Sequence, residues 1–445
     1  MGGPEVDTEG ATGIYGETFD CECGRTHSIE PEAVAYEADA ADRVPGLLEM
    51  ATDGRRVAVL MDVRTRAAAG AEVCTALADA GWEVLAVLVR DPAPGHSPVC
   101  EDRTKEKLED EIGPVDAFVS VGSGVITDLT RWIAWDGARR FVSFATAASM
   151  NGYCSANVAP AINGAKTLLR ARPPLAVVSA PSVIQGAPYE LTTSGLGDAL
   201  AKAVSTADWR MNNIIFGDYF CPRAVSLIAG IETRYLEHPE DVKAGQPDAM
   251  EAIYRALLLT GTAMTMAGTT SPCSGGEHAV SHALDMTAMS RGLEHDLHGR
   301  QVGIGTILTS ELYRRVLATE SPEFVEPQES VDREYWGNLA DVVAPEYAGK
   351  TERLHEAVDV LSRGDAWDRL RTGVEPMTRE PEVTRDCLKR AGAAFRAEDI
   401  GVDRERLLAA FTHAHEMRPR FMILDLARLL GIMPGTAREI VETWA

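Results

Sequence analysis

Residues 117–129 read AFVSVGSGVITDL and decide the fold, because they join a buried strand to a helix through a glycine turn. The first five residues are an apolar run of strand length, and Gly122, Ser123 and Gly124 follow directly before a helical pattern begins. In this geometry backbone N–H groups can approach a pyrophosphate, and the start of the helix favours its negative charge. The stretch lacks the full GxGxxG fingerprint, so a plain tight turn and a dinucleotide-binding turn explain it equally well.

Strands and helices alternate on both sides of this turn. Apolar runs predict four further strands, over residues 56–63, 83–89, 141–144 and 176–178. Helical patterns lie between them, over residues 67–80, 104–112 and 126–135. Strands that alternate with helices of this length imply βαβ units and a parallel sheet.

The pattern changes at about residue 191, after which apolar residues recur at spacings of three and four and no convincing strand appears. The helices predicted there cover residues 192–212, 249–266, 277–289, 302–317, 353–362, 383–394, 404–415 and 420–430. We therefore predict an α/β domain with a parallel sheet over residues 1–188 and an all-helical domain over residues 189–445. A small-molecule site is expected in the cleft between them.

The composition of the 445-residue chain is typical of a soluble globular enzyme. Acidic residues outnumber basic ones by 67 to 43, and the net charge of −24 argues against a nucleic-acid partner or an anionic membrane surface. The acidic N-terminus has no signal-peptide pattern, and no run of about 18 apolar residues predicts a membrane span. We expect a cytoplasmic protein without membrane insertion.

Eight cysteines are too few for a disulfide scaffold, so reduced thiols are expected. Cys21, Cys23 and His27 lie close together in the sequence. A structural zinc site needs four ligands, and no fourth one follows at a suitable spacing. The sequence therefore favours a purely structural role for these three residues.

Two acidic residues have both a structural and a functional explanation. Asp62 closes the first predicted strand, where it either hydrogen-bonds a ribose or, as the sequence favours, caps the next helix. Asp198 and Lys202 are four residues apart on one face of a predicted helix, where a salt bridge is the simpler interpretation.

Histidines concentrate in the helical half, where four of the ten lie within 21 residues. His278 and His282 are four residues apart at the start of a predicted helix, and His295 and His298 follow. Taken singly, each is more often a hydrogen-bonded structural residue, but a neutral imidazole is also a common zinc ligand. Their concentration favours a catalytic metal held by one Asp and two His from separate segments.

Several motifs occur together and in order along the chain: GSGVITDLTR, ATAASMNGYCSA, NGAK, GLGDALAK, MAGTTSPCSGGEHAVSHALD, LHGRQVGIGT and RPRFMILDLARLLGI. In this combination the sequence resembles the sn-glycerol-1-phosphate dehydrogenases, a branch of the metal-dependent ("iron-containing") alcohol dehydrogenase and dehydroquinate synthase superfamily. The resemblance runs from CECGRTH near the N-terminus to within about ten residues of the C-terminus.

The resemblance implies where the metal and the cofactor bind. It places the three ligands of one divalent metal at Asp198, His278 and His298, with zinc expected and nickel or iron also compatible. The contacts that it implies for NAD(P)H, from the pyrophosphate to the nicotinamide, are Gly122, Ser123, Gly124, Asp128, Thr146 and Ser149. His295 matches no ligand motif, so a structural role is expected for it.

The reaction implied by the resemblance is the reduction of dihydroxyacetone phosphate to sn-glycerol 1-phosphate, a step of phospholipid metabolism. His282 is the candidate for proton transfer, since an imidazole titrates near neutrality. Lys202 follows the ligand Asp at the family's usual offset. A homodimer is also expected from the resemblance.

One departure from the family concerns the substrate. The family segment Pro-Thr-Ala-Pro-Ser-Met-Asp-Gly is here ATAASMNG, so Asn151 replaces an Asp on the substrate side. An amide donates as well as accepts, and it carries no charge. The substitution is compatible with a reductase of a different phosphate or phosphonate carbonyl compound. The sequence also leaves open a sugar-phosphate cyclase on the same fold, and a metal- and nucleotide-binding protein without turnover.

Overall fold

The computed structural model describes residues 13–93, 96–162, 165–227 and 229–445. The chain divides into two compact units. The first unit runs to Gly195 and includes Ser226–Tyr235 and Ala244–Gly268; the second consists of Leu196–Val225, Leu236–Lys243 and Thr269–Ala445. The sequence predicted a single division at residues 188/189. In the structure, two segments beyond that point return to the first unit.

A six-stranded parallel sheet forms the centre of the first unit. Its strands are β3 (Ala33–Tyr36), β4 (Arg56–Met61), β5 (Glu83–Leu88), β6 (Ala117–Gly122), β7 (Arg140–Ala145) and β12 (Ala176–Ser179), in the spatial order β3-β12-β7-β6-β4-β5. The five predicted strands and the parallel arrangement are confirmed. The strand β3, which has only four residues, was not predicted.

Three antiparallel pairs of short strands complete the strands of the described residues. They are β1 (Thr18–Asp20) with β2 (Thr26–Ser28), β8 (Asn157–Val158) with β11 (Leu169–Arg170), and β9 (Ala161–Ile162) with β10 (Ala165–Lys166).

Helices cover both faces of the parallel sheet, which explains why its strands read as continuous apolar runs. Val57, Val59 and Met61 of β4 belong to one buried cluster, and the alternate residues Ala58 and Leu60 belong to another. The helices of this part are α1 (Ala40–Glu49), α2 (Val63–Thr65), α3 (Ala71–Asp79), α4 (Asp102–Ile112) and α5 (Gly124–Asp136). The first cluster is completed by α1 and α3, and the second by α4 and α5.

Helices dominate the chain beyond residue 180. They are α6 (Pro181–Gln185), α7 (Tyr189–Leu200), α8 (Lys202–Phe216), α9 (Pro222–Ser226), α10 (Glu232–Glu237), α11 (Pro239–Lys243), α12 (Pro247–Ala267), α13 (Gly276–Ser290), α14 (His298–Leu317), α15 (Arg333–Trp336), α16 (Ala340–Ala348), α17 (Thr351–Leu361), α18 (Ala366–Val374), α19 (Pro381–Arg390), α20 (Arg404–His413), α21 (Ile423–Leu429) and α22 (Ala437–Trp444).

The predicted helix over residues 192–212 is two helices, because the regular pattern is interrupted at Ala201. The helix α12 belongs to the first unit, although its apolar spacing resembles that of the helical half. Among the described residues, no helix has the length and apolar character needed to cross a membrane.

Candidate functional site

Asp198, His278 and His298 come together in the second unit, with one potential ligand atom from each lying within 4.8 Å of the others. The Nε2 atom of His278 is 3.3 Å from Oδ1 of Asp198. Asp198 and His278 are buried, and His298 is half-buried. Because the three residues lie on α7, α13 and α14, only the packing of these helices creates the group. We call it the three-helix cluster.

Glycines allow two of these helices to approach closely. A Cβ atom on Gly197, beside Asp198, would lie 2.1 Å from the carbonyl oxygen of Gly299, beside His298. It would also lie 3.3 Å from the backbone nitrogen of Gly303. Since real Cβ atoms do not come this near to a carbonyl oxygen, the position next to Asp198 must remain glycine.

A carboxylate fixes the orientation of the His278 ring. Glu277 Oε1 lies 2.7 Å from Nδ1 of His278 and also accepts from the backbone N–H of Gly275 at 2.8 Å. A carboxylate only accepts, so Nδ1 donates and Nε2 is turned toward Asp198. Burial alone would lower the pKa of His278, but the hydrogen bonds and charges of Asp198 and Glu277 raise it to about 9. The two anions therefore favour a positive charge at this position.

A hydrogen-bond chain fixes the His298 ring in a similar way. The Ser281 hydroxyl donates to Oε1 of Gln301 at 3.0 Å, so its oxygen accepts from Nδ1 of His298 at 3.1 Å. The amide of Gln301 is itself oriented, because its Nε2 donates to Asp285 at 3.0 Å and to the carbonyl of Asp296 at 3.2 Å. This bond to Nδ1 places the lone pair of the neutral His298 ring on Nε2.

These features fit a divalent metal. One carboxylate and two imidazoles, each imidazole with a hydrogen-bond partner at Nδ1, have the donor chemistry and the supporting contacts of a catalytic site for a divalent metal. Three protein ligands leave a coordination position for a substrate or water.

His282 lies one turn after His278, and its ring centre is 5.2 Å from that of His298 and 6.2 Å from that of His278. The Arg418 guanidinium contacts Nδ1 of His282. A guanidinium only donates, so Nδ1 accepts and the neutral ring carries its proton on Nε2. His295 lies at the surface, 3.4 Å from Asp285, consistent with a structural role.

Lys202 is buried, and its ammonium donates to the carbonyl oxygen of Pro272 at 2.7 Å and to the sulfur of Cys273 at 3.4 Å. These contacts hold the start of α8 against the segment that precedes α13. They differ from the salt bridge with Asp198 that the spacing suggested.

Arg418 and Arg420 were not singled out from the sequence, although both lie in the RPRF motif. Burial and the neighbouring charge of Arg420 lower the pKa of Arg418 to about 10, and burial also lowers the pKa of Arg420. Arg420 donates to Thr270 Oγ1 at 2.9 Å and to the carbonyl of Ser274. Both side chains are half-buried, and two neighbouring positive charges stabilise an anion, so these arginines are candidates for binding one.

The glycine turn of the first unit lies between β6 and α5, as the sequence predicted. Gly122 must be small, because a Cβ atom there would lie 2.5 Å from Ile126. At Gly124 the nearest atoms to such a Cβ belong to Met150 at 3.9 Å, so the backbone there is open to a ligand. Ser123 is the residue that precedes α5. This half-buried backbone at a helix start, with no atom close to the Cβ position of Gly124, fits a pyrophosphate.

Asp128 already has partners for both carboxylate oxygens. One accepts from Arg131 at 2.6 Å, and the other accepts from the backbone N–H of Ala159 at 3.2 Å. The buried Arg131 guanidinium in turn donates to the carbonyls of Gly152 and Tyr153. Asp128 thus organises the neighbouring loop, and its contact with a cofactor stays a prediction.

Asp62 is a helix cap. It accepts from the backbone N–H of Thr65 at 2.8 Å, and its own N–H donates to the Thr65 hydroxyl at 2.9 Å. Its second oxygen accepts from Arg64 at 2.8 Å, and Arg64 also pairs with Asp91. The sequence offered a helix cap and a ribose contact as explanations for Asp62, and the structure shows the helix cap. A hydrogen bond to a ribose stays a prediction.

Thr146, Ser149 and Asn151 follow β7 in the first unit. The backbone N–H of Thr146 donates to the carbonyl of Gly122 at 3.1 Å, which ties this segment to the glycine turn. The Ser149 carbonyl accepts from the Ser194 hydroxyl at 3.1 Å. Asn151 opens a short 3-10 turn, Asn151–Cys154.

Comparisons with known proteins agree with this geometry. The family model of the iron-containing alcohol dehydrogenases matches residues 35–188. The glycerol dehydrogenase of Schizosaccharomyces pombe has the same fold, with a TM-score of 0.60, 16% sequence identity, and coverage of 96% of this chain and 94% of that one. The fold and the site define an enzyme of the iron-containing alcohol dehydrogenase class, an NAD(P)-dependent oxidoreductase that uses a divalent metal.

Sequence relatives define the branch. The glycerol-1-phosphate dehydrogenase [NAD(P)+] of Thermococcus kodakarensis is 30% identical over 86% of this chain and 87% of its own length. The enzyme of the same name from Bacillus subtilis is 25% identical over 89% of this chain and 91% of its own length. The chain belongs to the glycerol-1-phosphate dehydrogenase family.

Proposed function

We propose that this oxidoreductase reduces dihydroxyacetone phosphate to sn-glycerol 1-phosphate with NAD(P)H. The observation that carries the proposal is the three-helix cluster, in which Asp198, His278 and His298 each bring one ligand atom within 4.8 Å of the others. Both imidazoles have a hydrogen-bond partner at Nδ1. The names of the relatives support the substrate.

When bound, the metal polarises the substrate carbonyl and the nicotinamide supplies the hydride. Asp198, His278 and His298 would hold the metal, for which we propose zinc because zinc suits two imidazoles and one carboxylate. The open backbone at Gly124 would approach the pyrophosphate, with Thr146 and Ser149 on the nicotinamide side.

His282 is suited to deliver the proton that completes the reduction. Arg418 occupies its Nδ1, so the transferable proton of the neutral ring is on Nε2. A positioned imidazole contributes about 10²–10⁴-fold in general acid–base catalysis.

We assign the substrate phosphate to Arg418 and Arg420, because Arg418 contacts the proposed proton donor His282 and a dianion would neutralise the two half-buried guanidinium groups. Arg420→Ala should raise KM for dihydroxyacetone phosphate by at least about tenfold, the loss expected for a charged hydrogen bond. Turnover of unphosphorylated dihydroxyacetone, which we expect to be weak in the wild-type protein, should stay nearly unchanged. An equal effect on both substrates would contradict this assignment.

The first experiment is an absorbance assay at about 340 nm with zinc-loaded protein, NADH or NADPH, and dihydroxyacetone phosphate. Metal-dependent oxidation of the nucleotide, with a chelator-treated control, is the expected result. If nucleotide and metal bind without turnover, the substrate proposal is wrong. Asn151 then marks a different carbonyl compound, and a panel of phosphorylated and phosphonate ketones would identify it.

Light scattering on the metal-loaded protein tests the homodimer that we propose from the family resemblance. A mass of twice 47.9 kDa is expected.

A further inference from the structure

We propose that the β1–β2 hairpin is a second metal site, in which the thiolates of Cys21 and Cys23 and the imidazole of His27 bind a soft divalent cation such as Zn²⁺. These three residues belong to the first unit, and none of them is part of the three-helix cluster. It is structural and does not depend on the proposed function.

The hairpin places the three side chains together. In the register of β1 and β2, Phe19 lies opposite His27, and Cys21 to Arg25 form the turn. The turn is closed by bonds from the Cys21 N–H to the Arg25 carbonyl at 3.0 Å and from the Gly24 N–H to the Cys21 carbonyl at 2.9 Å. Gly24 has a φ of 84°, which favours glycine in a turn this tight.

The distances are those of ligands around one ion. The Cys23 sulfur lies 3.3 Å from Nε2 of His27, and the ligand atoms of Cys21, Cys23 and His27 all lie within 4.8 Å of one another. For a tetrahedral zinc ion with its usual bond lengths, a sulfur and a nitrogen are about 3.6 Å apart. His27 is 3% exposed and packs against Phe19, so the imidazole is held in a dry position.

The chemistry of the donors and the small size of the hairpin also favour a bound metal. Thiolates select zinc over magnesium and calcium, and two thiolates with one neutral imidazole balance the charge of a divalent ion. The strands have three residues each, and a pair this short is marginally stable without further support. A metal would supply that support. The fourth ligand is then water or another thiolate of the chain.

The test uses the full-length protein and measures bound metal and the spectrum with Co²⁺. Wild type should hold two equivalents of metal and show the ultraviolet charge-transfer band of cobalt–thiolate bonds. The double variant C21S/C23S should lose one equivalent and the whole band. Cys74→Ser, which removes a half-buried thiol in α3, is the matched control and should change neither.

Two further variants separate ligation from folding. His27→Ala should lose the metal, whereas His27→Cys should retain it, because a thiolate replaces the imidazole as a ligand. His298→Ala should lose the other equivalent and keep the cobalt–thiolate band. If the intensity of the wild-type band corresponds to three thiolates, another cysteine is the fourth ligand.

The proposal is overturned if C21S/C23S holds as much metal as wild type, or if the wild-type protein shows no cobalt–thiolate band. It is also overturned if mass spectrometry of the native protein shows a Cys21–Cys23 disulfide.

Discussion

The three-helix cluster and the β1–β2 hairpin both bring histidine and an anionic donor together, but they are built in opposite ways. Asp198, His278 and His298 lie on three helices and meet only because those helices pack closely. Cys21, Cys23 and His27 lie within one short hairpin, and local hydrogen bonds position them. The first group depends on the fold of its whole unit, whereas the second depends on a short segment. Variants that disturb one group should therefore leave the other intact.

The largest effect is expected for His298→Ala. Two remaining ligands bind a metal weakly, and loss of the metal removes several kcal/mol of transition-state stabilisation. We expect kcat/KM to fall by at least about 10³-fold. Metal analysis should show the loss of one equivalent in parallel with activity. A variant that keeps its activity after losing this equivalent would show that the three-helix cluster is not catalytic.

His282→Ala sharpens the assignment within the cluster. The metal should stay bound, and turnover should fall by about 10²–10⁴-fold because a general acid is lost. The measurements are bound metal and kcat. If the metal site is emptied instead, His278 and His282 form the chelate, and the ligand assignment is wrong.

Gly197→Ala tests whether close helix packing builds the cluster. The new methyl group would clash with the Gly299 carbonyl at 2.1 Å, so we expect a loss of about 3 kcal/mol in the free energy of unfolding, the upper part of the range for overpacking. Denaturant unfolding measures this loss. Gly46→Ala in α1 is the control, since nothing lies within 4 Å of its Cβ position, and it should be neutral or slightly stabilising. Equal stability of the two variants would contradict the packing argument.

Glu277→Gln should have the smallest effect. The amide keeps the shape of the side chain but removes the charge that orients His278, so metal affinity should fall by about 10–100-fold. Competition with a chromogenic chelator measures this change. Unchanged affinity would mean that the Nδ1 partner of His278 has no influence on the metal.

The sheet could be predicted from the sequence because its physical signature is local. Strands buried on both faces, such as β4 and β6, are apolar runs that end in recognisable turns. The strand β3 could not be predicted in this way, because four residues among acidic neighbours give too short a pattern. The interruption at Ala201 was missed for a different reason, since the apolar spacing continues across it.

The candidate site was predictable only in part. The proposed ligands Asp198, His278 and His298 were predicted from motifs shared with a family rather than from any spacing rule. Ser281 and Gln301 carry no signal of their own, because their role arises from a hydrogen-bond chain between two helices. For the hairpin, the candidate residues stand together in the sequence as CECGRTH. A metal site was nevertheless not predicted, because no fourth ligand follows nearby in the sequence.

The glycine next to Asp198 has a consequence for protein design. Grafting one carboxylate and two histidines onto another helical bundle would not reproduce this centre, because ordinary side chains keep helix axes about 8–10 Å apart. The backbone contact between Gly197 and Gly299 would have to be transplanted with the ligands. The smallest unit of this centre that can be transferred is therefore a helix crossing and its three donors together.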